Sequence, residues 1–379
     1  MCHDACVAEV LRVALTVEAA WHKVPGGTGR VAVDLARALD QRDDTSVRGI
    51  SAWHFADPPA DWAVPVEVTR HRLPRVLLYE SWSRWNHPQL RSGSECDISH
   101  STTVVVPPVR EPLVVSVHDL AFRRYPDRFP ARARRLYDRS WRRVLERADA
   151  VISPSSATSA DLLAGGLDRD RLHLVPLGHD PLPIAEPDVT RVRATYNIHG
   201  PYVLAAGTLE PRKNIPALVE AMTSGPRPLS DDALLVIVGP MGWGDGHADQ
   251  LGELTEAQRE RVVLTGGIPT ADLASLYAGA SVFCYPSLLE GFGLPVLEAM
   301  SYGAPVVTSA NTATEEVAGE AALTIDPSSS EAIAAGLRQV LTDPARAEEM
   351  SRLGIERASQ FSWAKVAEAT RAVYDEVAR

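Results

Sequence analysis

Short apolar runs alternate with helix-like segments along this 379-residue chain, and the alternation starts again near its middle. This pattern is typical of β-α-β units, whose strands form parallel sheets covered by helices. We therefore expect an α/β fold in which each half of the chain builds its own sheet. The predicted strands cover residues 11–17, 113–117, 150–153, 173–175, 202–206, 234–238, 262–264, 281–285, 305–308 and 323–325.

The length suits two domains, and a proline-rich stretch at 181–189 suggests where they divide. We predict a first lobe over 1–181 and a second lobe over 190–360. Apolar residues from Trp363 to Val377 recur at helical spacing, which indicates an amphipathic helix. This closing segment, 361–379, is expected to pack toward the first lobe.

Composition excludes several classes of protein. The net charge of −11 argues against a general nucleic-acid-binding protein. The amino-terminal residues lack the basic and apolar regions of a secretory signal, and no apolar stretch approaches the roughly 18 residues of a spanning helix. We expect a cytoplasmic protein. Its cysteines, Cys2, Cys6, Cys96 and Cys284, are expected to be reduced thiols, and Cys2, His3 and Cys6 lack a further nearby ligand for a metal.

Residues 123–147 form a strongly basic segment. Ten arginines face three acidic residues there, a local charge of +7. Two interpretations are open. Its apolar stripe could face the core beneath a solvated basic surface. Alternatively, the segment could dock on the anionic inner face of a membrane to reach a lipid-linked acceptor. The stripe comprises Leu136, Tyr137, Trp141, Val144 and Leu145.

A glycine-rich segment, 27–32, fits the dinucleotide pattern G-x-G-x-x-G/A, and residues 30–39 are predicted to form a helix. Small residues at a helix start let backbone amides approach a phosphate. However, about nine residues separate it from Val17, and no acidic residue ends the next run at 51–54. We therefore favour backbone contact with a diphosphate or an acceptor over nicotinamide binding, with a plain helix cap as the alternative.

Arg212 and Lys213 follow the predicted strand 202–206 and precede a helix that is expected from about Asn214. The carboxyl end of a strand next to a helix start is where α/β sheets bind ligands, and the helix dipole there favours anions. Two adjacent cations suit a diphosphate. The alternative is a solvated basic turn.

Residues 290–300 read Glu-Gly-Phe-Gly-Leu-Pro-Val-Leu-Glu-Ala-Met, with a helix predicted from Pro295. Gly291 and Gly293 leave backbone N–H groups open to a ligand. Glu290 and Glu298 lie on either side of the helix start, and carboxylates accept hydrogen bonds from the hydroxyls of a polyol. The alternative for Glu298 alone is a solvent-facing charge.

The spacing of Glu290 and Glu298 resembles the E-x7-E pattern of retaining glycosyltransferases of the GT-B fold, family 4 type. Segments 207–214, 116–120 and 361–363 also resemble that family. The resemblance implies two Rossmann-like lobes facing across a cleft, the first binding an acceptor and the second a nucleotide sugar. It also implies a carboxyl-terminal helix that crosses back to the first lobe.

The family implies roles for individual residues. Arg212 and Lys213 would neutralise the donor diphosphate, Glu290 would bind the transferred sugar, Glu298 the ribose, and His118 would lie near the reacting carbon. Further donor-binding positions implied by the resemblance are Gly27, Gly207, Gly267, Ile268, Gly291, Phe292, Gly293 and Leu294. On the acceptor side the resemblance places Gly26, Thr28, His118 and Asp119.

The resemblance further implies a hexosyltransferase that works without a metal or a cofactor and retains the anomeric configuration. The segment 118–122 with Tyr125 and Pro126 is similar to the mannosyltransferase branch. GDP-mannose is therefore the first expected donor and a UDP-sugar the second. The acceptor would be a hydroxyl of a glycan, a lipid-linked sugar or a small molecule. A two-lobed epimerase or phosphorylase, or a non-catalytic nucleotide-sugar-binding protein, remains the alternative.

Overall fold

The computed structural model describes residues 10–90, 96–223, 233–240 and 254–378, and it divides into two compact units. The first unit contains the described residues before Ser155, residues Thr158–Leu177 and the segment from Trp363 onward. The second contains Ser155–Ala157 and Gly178–Ser362. Each unit is an α/β domain around one parallel sheet, which confirms the predicted fold class.

The sheet of the first unit has the strand order β3-β2-β1-β4-β5-β6-β7, and all its pairings are parallel. Its strands are β1 (Leu11–Thr16), β2 (Thr45–Trp53), β3 (Val68–Pro74), β4 (Ile98–Ser101), β5 (Leu113–Ser116), β6 (Ala150–Ser153) and β7 (Leu172–Leu174). The α-helices up to residue 177 are α1 (Gly26–Asp40), α2 (Arg75–Trp85), α3 (Ala121–Arg124), α4 (Ala131–Arg147) and α5 (Ser156–Ala164). Single turns of 3-10 helix occupy Glu18–Trp21, Ala60–Trp62, Pro126–Arg128 and Arg169–Arg171.

The sheet of the second unit has the order β10-β9-β8-β11-β12-β13 and is also parallel. Its strands are β8 (Tyr202–Ala206), β9 (Leu234–Val238), β10 (Val262–Gly266), β11 (Val282–Tyr285), β12 (Val306–Ser309) and β13 (Ala322–Ile325). The α-helices from residue 178 to 362 are α6 (Glu186–Thr195), α7 (Ile215–Thr223), α8 (Glu256–Arg259), α9 (Thr270–Ala278), α10 (Leu294–Ser301), α11 (Ala313–Ala318), α12 (Ser330–Leu341) and α13 (Pro344–Ala358). Turns of 3-10 helix occupy Pro211–Lys213 and Gly319–Ala321.

The chain passes into the second unit after Leu177, slightly before the boundary expected at Pro181. The reason lies in His179, whose backbone N–H donates to the carbonyl of Phe361 at 3.2 Å and whose ring packs on Tyr302. The proline-rich stretch is also partly helical, because Glu186–Thr195 forms α6 with a proline in its first turn.

Helix α4 carries the basic segment on one side and a buried stripe on the other. Trp141 is 2% exposed, and its indole N–H donates to the carbonyl of Gly165 at 3.1 Å. Val144 is fully buried, while Tyr137 and Leu145 pack against the same core. The stripe therefore faces the protein interior. Among the described residues, no helix has both the length and the apolar character needed to cross a bilayer.

The last helix, α14 (Trp363–Val377), packs on α1 in the first unit. Tyr374 on this helix is fully buried, and its hydroxyl lies 2.6 Å from Nδ1 of His100 on β4. Nε2 of the same ring lies 2.8 Å from the hydroxyl of Ser116 on β5. Burial, and then the neighbouring His118, lower the pKa of His100 to about 3, so the imidazole is neutral at pH 7.

We expect Tyr374→Phe to lower the free energy of unfolding by about 1 to 3 kcal/mol, because it leaves Nδ1 of the buried His100 without a partner. Chemical denaturation followed by fluorescence measures this change. Tyr196→Phe is the matched control, since its hydroxyl bonds Asp272 at a site that water can reach. An equal loss in both variants would contradict a special role for the buried pair.

Candidate active site

The loops after β8 and β11 meet at the carboxyl edge of the second sheet. These two strands are direct neighbours, with Val203 opposite Val282 and Leu204 opposite Phe283. In a parallel sheet, adjacent strands deliver the loops that follow them to the same edge, where ligands bind. The segments 207–214 and 286–294 are therefore brought together, because each follows one of these two strands.

Glu290 is the centre of this cluster and is 8% exposed. Its Oε1 accepts hydrogen bonds from Lys213 at 2.7 Å, Ser287 at 2.6 Å and Tyr285 at 3.0 Å. Its Oε2 accepts from Arg212 at 2.6 Å. Burial alone would raise the pKa of this carboxyl, but the two cations outweigh it and lower the pKa to about 2. Glu290 is thus a carboxylate, able only to accept hydrogen bonds.

Lys213 is buried with its ammonium over the ring of Tyr285 and within hydrogen-bond distance of the hydroxyl of the same residue. Burial, followed by repulsion from Arg212, lowers the pKa of Lys213. Arg212 also pairs with Glu210 at 2.8 Å. The predicted pair of cations is present at the predicted place, but two carboxylates already balance its charge.

Helix α10 begins at Leu294, one residue before the predicted start. Gly293 precedes it with a φ of 110°, and a Cβ at this position would lie 2.7 Å from Cγ2 of Thr314. Only glycine fits this left-handed and crowded site. The carbonyl of Gly291 accepts a hydrogen bond from Ser155 at 2.6 Å, and Phe292 packs edge-on against Phe361. The glycine-rich loop is therefore held in one conformation.

Glu298 lies on α10, half-buried, and accepts a hydrogen bond from Tyr277 at 3.0 Å. The ring of Tyr277 stacks on Tyr302 at 6.0 Å. Glu298 therefore occupies an ordered polar site at the start of the helix.

The remaining residues predicted for the second unit also follow strands. Gly207 comes directly after β8, where its Cα faces the side chain of Lys213. Gly267 and Ile268 come directly after β10, two strands away from β8, and Gly267 is exposed. They share the edge with the charged cluster but lie to one side of it.

In the first unit, the glycine-rich segment is part of a helix, which differs from the prediction. Gly26, Gly27 and Thr28 form the first turn of α1, although the helix was expected only from Arg30. Gly29 is required by packing, because a Cβ there would lie 2.5 Å from Cβ of Pro25. The backbone amides of this turn lie at the start of a helix that follows a 3-10 turn. They do not belong to a loop that comes directly after β1.

His118 and Asp119 follow β5. Nε2 of His118 lies 3.0 Å from the carbonyl of Thr102, so this nitrogen carries the proton and Nδ1 is left as an acceptor. Burial lowers the pKa of His118, against the opposing effect of Asp119. Asp119 accepts a hydrogen bond from the backbone N–H of Ala121 at 2.9 Å.

Sequence reasoning missed Tyr285, Ser287, Glu210 and Tyr277, which hold the predicted charged residues in place. Tyr285 is the last residue of β11, so its position at a strand end was the available signal. No cluster of three or more potential metal ligands occurs in the described part of the chain. Cys2, His3 and Cys6 lie outside it, whereas Cys96 and Cys284 are not joined in a disulfide.

Two family descriptions match this sequence. Residues 190–357 match Glycosyl transferases group 1, and residues 25–181 match Glycosyltransferase Family 4. The chain is 34% identical over 297 residues to O-antigen chain mannosyltransferase B of Escherichia coli, covering 76% of this chain and 77% of that protein. It is 32% identical over 240 residues to MMP alpha-(1->4)-mannosyltransferase of Mycolicibacterium hassiacum, covering 62% and 56% respectively.

Solved structures share the fold. Sucrose-phosphate synthase from Thermosynechococcus elongatus superposes with a TM-score of 0.77 at 23% identity, covering 97% of this chain and 98% of that one. Anabaena HepE, in complex with UDP and glucose, superposes with a TM-score of 0.74 at 20% identity, covering 97% and 100%. The two parallel-sheet domains therefore form a GT-B fold.

We expect Glu290→Gln to lower the free energy of unfolding by about 3 to 5 kcal/mol at pH 7, because it leaves the buried Lys213 without a carboxylate partner and Arg212 with Glu210 alone. Since the pKa of Glu290 is lowered from 4.5 to about 2, its stabilising effect is complete above about pH 4.5 and disappears as the pH falls toward 2. The difference in unfolding free energy between wild type and variant should therefore decrease as the pH falls from about 4.5 toward 2.

Melting temperatures recorded from pH 2 to 7 check this expectation. Glu349→Gln serves as the control, because its partner Arg352 is exposed and the pair contributes little. A gap between wild type and Glu290→Gln that stays constant with pH would contradict the ionised, cation-bound state of Glu290.

Proposed function

Because this chain belongs to the group 1 glycosyl transferases, we propose that it transfers mannose from GDP-mannose to a hydroxyl acceptor with retention of configuration. A glycan or a lipid-linked sugar is the proposed acceptor, with a small molecule as a further possibility. The cluster of Arg212, Lys213 and Glu290 carries the proposal, because it combines two cations with a permanent hydrogen-bond acceptor. UDP-sugars are the second choice of donor.

The donor substrate would bind to hydrogen-bonding groups of this cluster that are still available. A Lys213 ammonium has three N–H donors, and two are used by Glu290 and Tyr285. The third can donate to a phosphate oxygen. A sugar hydroxyl can donate to Glu290, whose low pKa keeps it an acceptor at any working pH. Diphosphate and sugar therefore find complementary groups a few ångströms apart.

Cleavage of the bond between the sugar and the phosphate builds positive charge on the ring and negative charge on the diphosphate. Arg212, Lys213 and the amides at the start of α10 would stabilise the leaving diphosphate, which is the largest electrostatic contribution available here. We propose attack by the acceptor hydroxyl from the same face, with its proton passing to the departing phosphate oxygen. This sequence needs no bound metal or cofactor.

The other predicted residues fit the same scheme. Glu298 would accept from the ribose hydroxyls, held by Tyr277, and Gly267 and Ile268 would contact the base. On the acceptor side, His118 offers Nδ1 as a hydrogen-bond acceptor for a hydroxyl. The choice of mannose is supported by the names of the two mannosyltransferase relatives, and the UDP alternative by the ligand of Anabaena HepE. Membership of this family favours transfer over epimerisation, phosphorolysis or simple binding.

Addition of GDP-mannose without metal should raise the melting temperature, because a ligand that binds only the folded state stabilises it. Lys213→Ala and Glu298→Ala should each abolish the shift, whereas Lys365→Ala, which removes an exposed lysine of α14, should keep it. The anomeric configuration of the product is read by NMR. A shift with UDP-glucose alone would replace the donor, and an inverted product would overturn retention.

We also propose that one surface of the first unit contacts an anionic membrane. Val76, Leu77, Glu80 and Arg84 fall within roughly 100° on α2, and the first two are at least half exposed. Glu80 binds Arg84 and Arg139, leaving a net positive surface toward α4. A groove of about 400 Å³ lies there, lined by Glu80, Arg84, Trp85, Arg132, Arg135 and Arg139.

This surface combines basic groups with exposed apolar side chains, including Trp85, which is 71% exposed. Such a combination suits the interface of a bilayer that contains anionic lipid. The apolar stripe of α4 is buried in the protein, so the exposed apolar side chains of α2 would supply the apolar contacts with the bilayer.

The protein should sediment with phosphatidylglycerol vesicles at low salt and remain in solution with phosphatidylcholine vesicles. A double variant, Arg132→Gln with Arg135→Gln, should weaken vesicle binding about 30-fold, since each basic residue near the surface contributes about 1 kcal/mol. Arg352→Gln on α13 is the control. Equal sedimentation of all three proteins would contradict the assignment of the surface.

A further inference from the structure

Lys213, Tyr285 and Glu290 form a closed triangle of hydrogen bonds at the carboxyl edge of the second sheet. The Lys213 ammonium donates to the Tyr285 hydroxyl and, at 2.7 Å, to Oε1 of Glu290. The Tyr285 hydroxyl donates in turn to the same Oε1 at 3.0 Å. Tyr285 is therefore a neutral group that contacts both members of the charged pair.

Tyr285 belongs to the sheet itself, whereas its two partners lie in the connections that follow strands. It is the last residue of β11 and pairs with Thr308 of β12, whose hydroxyl donates to the Tyr285 carbonyl at 3.0 Å. Its ring is buried and stacks on Phe283 with 5.8 Å between centroids. Lys213 ends a 3-10 turn, and Glu290 lies in the loop after β11. The packing of the sheet therefore fixes the position of the hydroxyl.

The Tyr285 hydroxyl remains protonated, so it can donate and accept at the same time. Burial, and then the charge of Glu290, raise the pKa of Tyr285 well above its usual value. A neutral phenol has one O–H to donate and lone pairs that accept. Because its O–H is directed to Glu290, the hydroxyl oxygen is the acceptor for Lys213.

The contact with Tyr285 stabilises the charged form of Lys213. Burial, followed by repulsion from Arg212, lowers the pKa of this lysine, while the carboxylates of Glu290 and Glu210 oppose the decrease. A hydrogen bond that the ammonium donates also favours the charged form. The Tyr285 hydroxyl therefore acts in the same direction as the two carboxylates.

Glu290 cannot take over the hydrogen bond that Tyr285 accepts. Its Oε1 already accepts from Ser287 at 2.6 Å as well as from Lys213. A carboxylate oxygen offers about two lone-pair sites. Without the Tyr285 hydroxyl, one N–H of the buried ammonium would lose its acceptor.

The triangle also sets the direction of the third N–H of Lys213. Within the described ranges, the ammonium donates to Tyr285 and Glu290 and to no other group. Its three N–H groups are arranged tetrahedrally, so fixing two of them fixes the third. With Glu290 as the single partner, the side chain could turn about one hydrogen bond, whereas two partners locate the nitrogen.

We propose that Tyr285 is a positioning residue whose hydroxyl keeps Lys213 protonated and directs its third N–H toward the diphosphate of the donor. The proposal rests on the proposed transferase function for the identity of the ligand. The effect of Tyr285 on Lys213, however, can be measured in the protein alone.

The chain contains three lysines, Lys23, Lys213 and Lys365, so isotope labelling of lysine alone gives three side-chain NMR signals. Lys23→Arg and Lys365→Arg, which change exposed residues, assign the Lys213 signal by elimination. Titration of this signal with pH should show that Tyr285→Phe lowers the pKa of Lys213 by about one unit. The reason is that a hydrogen bond to a charged group changes the protonation equilibrium about tenfold or more.

Tyr202→Phe is the matched control. It removes another buried hydroxyl, on the neighbouring strand β8, which donates to the carbonyl of Leu276 at 2.6 Å and not to Lys213. The Lys213 titration should be the same in this variant as in wild type. An unchanged titration in Tyr285→Phe, or an equal change in both variants, would overturn the proposal.

Binding of GDP, measured by calorimetry from pH 7 to 10, tests the connection with the diphosphate. Affinity should decrease as Lys213 loses its proton and with it its charge. In Tyr285→Phe this decrease should begin about one pH unit lower than in wild type, whereas Tyr202→Phe should follow wild type. The same pH dependence in wild type and Tyr285→Phe would contradict the role toward the diphosphate.

The two measurements separate this proposal from the proposed function. A lowered pKa of Lys213 in Tyr285→Phe, without any binding of GDP or GDP-mannose by wild type, would refute the transferase function and leave the effect of Tyr285 on Lys213. Binding of GDP by wild type, together with an unchanged Lys213 titration in Tyr285→Phe, would refute the positioning role and leave the transferase function.

Discussion

The buried contact between Lys213 and Glu290 is the interaction on which the second unit's site depends. It joins the loop after β8 to the loop after β11, and Tyr285 and Ser287 complete it from within the second loop. Buried charges are tolerated only when they are paired and hydrogen-bonded. The pair therefore fixes both loops in a single arrangement before any ligand arrives, which is the preorganisation that charge stabilisation requires.

Much of this arrangement could be predicted from the sequence because it follows strong local signals. Apolar runs mark the buried strands, and β6, β8 and β9 match the predicted bounds to the residue. The charged residues of the site follow strands directly, so the parallel topology brings them together. What the sequence does not reveal is their pairing, since whether Arg212 contacts Glu210, Glu290 or solvent depends on tertiary packing.

The elements that the sequence did not predict also have a physical explanation. Strands β3 and β4 contain His71 and His100 among mostly polar residues, so hydrophobic patterning does not detect them. His100 is acceptable in the core only because Tyr374 and Ser116, distant in sequence, satisfy both ring nitrogens. The early start of α1 also escapes prediction, because Gly26, Gly27 and Thr28 are poor helix formers and the helix is held there by packing around Gly29.

The contact between His100 and Tyr374 has a consequence for the order in which the parts of the first unit are synthesised and packed. The first unit is discontinuous, because α14 belongs to it although the whole second unit lies between them in the chain. During synthesis from the amino terminus, the second unit has all its residues before the first unit receives its last helix. The first sheet is thus made early, but His100 stays without its partner Tyr374 until α14 has been synthesised.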